Sequence, residues 1–136
     1  MADVAVNWLA VLLATIVCFV LGALWFGPLF GKPWMRSLGM DPAAMKQTPP
    51  KGLGRILGIS FVLEWVMAMC LAYFIGSETD AAHGALYGFL AGLPWVAFAI
   101  TVNSLYENKP PAYIFITGSY WTVAFTLMGL ILGAWH

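Results

Sequence analysis

Glu64 is a carboxylate near the middle of an apolar segment, Leu53 to Ile75, that is long enough to cross a membrane. The only other charge in that segment is Arg55, at its mouth. Desolvating a charge at bilayer depth is costly, so a carboxyl kept there is shielded, paired, protonated or used. Two chemistries fit. A carboxyl that can change charge beside aromatic faces binds a proton or a lipophilic cation. A carboxyl that stays hydrogen-bonded ties helices together. Indole N–H groups at the same depth want an acceptor, which points to Trp95 and Trp121 as partners. Trp65 is turned about 100° from Glu64 on its own helix and is the poorer candidate. Tyr120, Asn103 and Thr101 are expected to extend a polar seam from the carboxyl toward the cytoplasm.

Other chemistries are weakly supported. No cysteine or serine has a histidine partner at membrane depth, so no catalytic residues and no enzyme are expected. Glu78, Asp80, His83 and His136 cluster at one end without a ligand spacing, and they read as a solvated polar rim, not as a metal site. There is no phosphate-binding or dinucleotide loop, and no cofactor is implied. Six basic and six acidic residues leave a net charge of zero, so nothing marks a nucleic-acid partner. Cys18 is expected nearer the inner end of its helix and Cys70 nearer the outer end of the next, too far apart in depth for a disulfide; both read as small buried packing residues.

The elements that position Glu64 follow from composition. At 62% hydrophobic and 9% charged residues, the chain departs from soluble domains, which carry about a quarter charged residues. The pattern predicts an all-α integral membrane four-helix bundle, a single transmembrane domain over 1–136 with crossings at about 4–27, 53–75, 84–106 and 112–135. Gly27-Pro28 is expected to end the first crossing, and Pro94 to kink the third or open its hydrogen-bond ladder. An apolar run this long after Asp3 does not resemble a cleavable signal. In lipid, helices associate through small residues. Ridges at four-residue spacing run through Ala10, Ala14, Cys18 and Gly22; through Ser60, Glu64, Ala68, Ala72 and Gly76; through Gly84, Gly88 and Gly92; and through Gly129 and Gly133. Glu64 therefore shares a small-residue face and should look into protein. Two glycine ridges on one small chain also suit a homo-oligomer.

All six Lys and Arg residues fall in or beside loops on one side of a four-helix path. The positive-inside rule places that side in the cytoplasm and both termini outside it. Trp8 and Trp135 then mark the outer boundary, and Trp25 and Trp34 the inner one. The cytoplasmic loop 28–52 is the only sizeable extramembrane piece. Pro33 suits the first turn of a short amphipathic interfacial helix carrying Lys32, Trp34 and Arg36, which would contact lipid headgroups or simply fix its depth. Asp41-Pro42 reads as a helix cap with proline at the first helical position, and Thr48-Pro49-Pro50 as a break before the second crossing.

Several motifs carry a resemblance. Asn7-Trp8-Leu9-Ala10, Leu21-Gly22-Ala23-Leu24-Trp25 with Pro28, and Phe30-Gly31-Lys32-Pro33-Trp34-Met35 form its first half. Asn103-Ser104-Leu105-Tyr106-Glu107, then Gly118, Tyr120, Met128-Gly129 and Leu132-Gly133-Ala134-Trp135 form its second. Over nearly the whole chain this pattern resembles domain of unknown function family 1761, short bacterial four-helix membrane proteins. The resemblance implies the bundle fold and a bacterial inner membrane, supplies no activity, and makes Asn7, Trp25, Trp34, Asn103 and Glu107 the family-type positions. Two functions remain in view: proton- or cation-linked transport or permeation through a midplane Glu64 site, and an accessory or scaffold role among other membrane subunits with Glu64 in a structural hydrogen bond.

Overall fold

The computed structural model describes residues 6–43 and 51–135. Among them the chain is all-α, with four helices long and apolar enough to cross a bilayer: Trp8–Leu29, Leu53–Ile75, Ala81–Tyr106 and Pro111–Ala134. The expected start of the first crossing at residue 4, the break at Thr48-Pro49-Pro50, and His136 lie outside the described residues.

Helix α1, Trp8–Leu24, begins where the Asn7 side chain accepts from the Leu9 and Ala10 N–H groups, which would otherwise be orphaned. Gly27-Pro28 does not end the crossing, contrary to the sequence expectation. Trp25–Leu29 continues it as a π turn with Pro28 inside. Proline breaks an α ladder because it lacks an N–H, but a wider turn accommodates it; here Phe30 N–H reaches back to Trp25 O at 2.8 Å. Helix α2, Gly31–Ser37, follows at once with Pro33 in its first turn. Asp41 then accepts from Ala43 N–H at 3.0 Å, the expected cap ahead of Pro42.

Helix α3, Leu53–Ile75, has the expected bounds and stops at Gly76, whose φ of +81° suits a residue without a Cβ. The third crossing begins three residues before the expected 84, at Ala81, because the Asp80 side chain caps it through His83 N–H. It runs as α4, Ala81–Leu90, then a π segment, Ala91–Ala97, around Pro94, then α5, Phe98–Tyr106. The expected opening of the ladder at Pro94 is thus present. Helix α6, Pro111–Ala134, starts with proline at its first position.

Helix α6 is the hub: it packs against the first and third crossings extensively and against α3 more lightly. Its glycines set the distance. A Cβ on Gly84 would collide with the Gly129 carbonyl oxygen, one on Gly88 with the Phe125 carbonyl, and one on Gly133 with the Asp80 carbonyl. The two glycine ridges therefore face each other within one chain, backbone against backbone, instead of lying open for a second subunit. On α1, Ala10, Ala14 and Cys18 are fully buried in the same core as Ala68, Tyr120, Ala124 and Met128. Helix α3 rests mainly on α1 and barely touches the third crossing.

Candidate functional site: a carboxyl enclosed by the first, second and fourth crossings

Eleven residues of α3 lie on either side of Glu64. The side chain is turned inward and only 7% exposed. Ala68 on the same ridge is fully buried, so the small-residue face does hold the carboxyl against protein.

Two groups from two other helices meet it. Tyr120 of α6 brings its hydroxyl to 3.3 Å from Glu64 Oε1, and Cys18 of α1 brings its thiol to 3.5 Å from the same oxygen. The same hydroxyl donates to Cys18 O at 2.9 Å and lies 3.4 Å from Cys18 Sγ. The three side chains form a closed triangle. Gly22 makes the approach possible, since a Cβ there would sit 3.0 Å from the Tyr120 hydroxyl. Edge-on contacts with Phe26 at 5.1 Å and Trp121 at 4.8 Å hold the Tyr120 ring. Glu64 Oε2 is buried with no hydrogen-bond partner.

Cys18 belongs at this depth because the first crossing runs from Trp8 to Leu29, which puts the residue at its middle and not toward its inner end as expected. Sequence reasoning did not assign it to the site. A signal existed: it is the one thiol on an otherwise Ala and Gly ridge of α1. Tyr120 was expected in the seam and is the direct partner.

The other expected partners are elsewhere. Trp121 touches Tyr120 but sends no hydrogen bond to the carboxyl. Trp95 is 63% exposed and meets Phe74 edge-on at 5.8 Å; the π segment around Pro94 sets its direction. Asn103 is exposed near the end of the third crossing, and the Thr101 hydroxyl bonds its own helix at Ala97 O, 2.8 Å away. Cys70 is exposed, not buried. Among the tryptophans expected at boundaries, Trp25 does more than mark depth: its Nε1 donates to Ile116 O at 2.9 Å, tying the π turn of the first crossing to α6.

At the loop, Lys32 and Arg36 are exposed and line one cavity with Asp41. Trp34 is half-buried against Phe26 at 5.1 Å, and its Nε1 is buried without a partner. At the link between the second and third crossings Asp80 and His83 engage each other, Oδ1 to Nδ1, at 2.8 Å. The His83 N–H and then its ring hold the Asp80 carboxyl below its ordinary range by favouring the charged form. Among the described residues no group of three His, Cys, Asp or Glu converges on a metal position.

No match was found among curated proteins or among solved structures. A family model described as Protein of unknown function (DUF1761) matches residues 9–133, nearly the whole chain, and this chain, with its four helices long and apolar enough to cross a bilayer, belongs to that family.

Proposed function

We propose that this protein is an accessory or scaffold subunit of a larger membrane assembly, in which Glu64 clamps three crossings together. One observation carries the reading: Glu64 Oε1 is closed off by Tyr120 and Cys18, and the apolar cavities between neighbouring crossings are walled by other residues. The hydrogen bonds support it. Tyr120 has one proton, and its shorter contact gives that proton to Cys18 O. The same hydroxyl also reaches Glu64 Oε1 at 3.3 Å, and the Cys18 thiol donates to that oxygen at 3.5 Å. A carboxyl met this way from two other helices is a helix tie.

Transport linked to a proton or cation is the second reading, favoured by Glu64 Oε2, a buried oxygen with no donor. The assignment of the basic loops to the cytoplasmic side of a bacterial inner membrane, with both termini outside, rests on the placement of all six Lys and Arg residues. One experiment separates the two functions. The protein alone, in proteoliposomes under a pH gradient, should show no flux that depends on Glu64, and extraction in mild detergent should bring a stoichiometric membrane companion. Flux by the isolated protein that vanishes in Glu64→Gln would overturn the scaffold reading in favour of transport.

A further inference from the structure

The first crossing ends at Leu29, and α2 begins two residues later at Gly31. This junction of an apolar span with a basic helix lies at the membrane boundary, and two cavities meet there. One, about 280 Å³, is lined by Lys32, Arg36 and Asp41. The other, about 610 Å³, is lined mainly by apolar groups, among them Pro28, Leu29, Pro33 and Met35. Lys32 and Pro42 line both, so the cavities adjoin. Lys32 and Arg36 stand four residues apart and share one face of α2. The Asp41 carboxylate is engaged by Ala43 N–H at 3.0 Å, and two cations against one anion leave a net charge of +1 in the polar cavity.

The geometry points to a binding site for one anionic phospholipid, its phosphodiester between Lys32 and Arg36 and the start of an acyl chain in the slot beside Leu29 and Met35. The net charge matches a single phosphodiester, and Asp41 offers an acceptor to a headgroup hydroxyl. The apolar slot distinguishes this ligand from a free phosphate, which has nothing to place there. The site lies on α2 and its junction, and does not depend on the role of Glu64.

The test uses the full chain in mixed micelles of equimolar phosphatidylglycerol and phosphatidylcholine, with retained lipid counted by native mass spectrometry. Phosphatidylglycerol should be retained selectively, one molecule per chain. Lys32→Gln and Arg36→Gln should each weaken retention by about fivefold, the equivalent of about 1 kcal/mol per basic group near a lipid surface. The paired Lys32→Arg and Arg36→Lys protein should retain the lipid, which separates loss of charge from loss of fold. Lys109→Gln removes a cation that instead lies 5.5 Å over the Tyr113 ring, and it should change nothing. Equal retention of the two lipids, an equal loss in Lys109→Gln, or displacement of the lipid by millimolar inorganic phosphate would each overturn the site.

Discussion

At the scale of single residues, Tyr120 holds the cluster together. Its hydroxyl touches a carbonyl and a thiol on α1 and a carboxyl on α3. Interhelical hydrogen bonds within a membrane contribute on average about 0.6 kcal/mol, with a ceiling near ~1.7. Tyr120→Phe removes all three contacts and should therefore cost about 2 kcal/mol in reversible unfolding from detergent. Glu64→Gln keeps the shape and an acceptor oxygen, and should cost less than Tyr120→Phe in the same assay. The reverse order would mean that the carboxyl is needed as a charge and not as a tie. Asp80 gives a pH prediction outside the membrane. His83 lowers its carboxyl pKa in the folded state, so the cap contributes stability above the ordinary aspartate value of about 3.9 and loses it as pH falls through the lower folded value. The pH titration of the His83 amide resonance should show a midpoint below about 3.9, and Asp80→Asn should abolish that step while keeping the cap.

At the scale of elements, two proline-containing crossings share one device. Pro28 and Pro94 each lie within a π segment, Trp25–Leu29 and Ala91–Ala97. Proline announces trouble for an α ladder, but whether the chain stops or widens depends on what holds it from outside. For Pro28 the hold is the Trp25 indole on Ile116 O, a contact across 91 positions that no local pattern contains. The glycine seam between α4 and α6 makes a sharper test. Ala is favoured over Gly in a helix by about 1 kcal/mol, so Gly58→Ala on α3, where an added Cβ meets nothing within 4 Å, should leave thermal stability in detergent equal or slightly raised. Gly84→Ala and Gly129→Ala should lower it by about 1–3 kcal/mol despite that gain, because the obstacle is opposing backbone that moves only by parting the helices.

At the scale of the whole molecule, the two cysteines report the packing. Cys18 is buried in the cluster and Cys70 is exposed on α3. A maleimide added to the detergent-solubilised protein should modify Cys70 within the folded state and reach Cys18 only on unfolding; equal labelling of both would mean that α1 and α3 part readily. Hydropathy alone determined the number of crossings, and it placed α3 at its observed bounds, since a run of apolar residues is a local property that the bilayer reads directly. Four-residue spacing likewise determined that Glu64 shares a face with Ala68 and looks inward. Only the tertiary structure decided that Cys18 and Tyr120, 46 and 56 positions away, meet the carboxyl while Trp95 turns outward, and that the glycine ridges close on each other. The physical reason is rotation. A spanning helix is fixed in depth by the membrane, but its turn about its own axis and its choice of neighbour depend on which small-residue faces fit, and this chain carries several that look alike from the sequence.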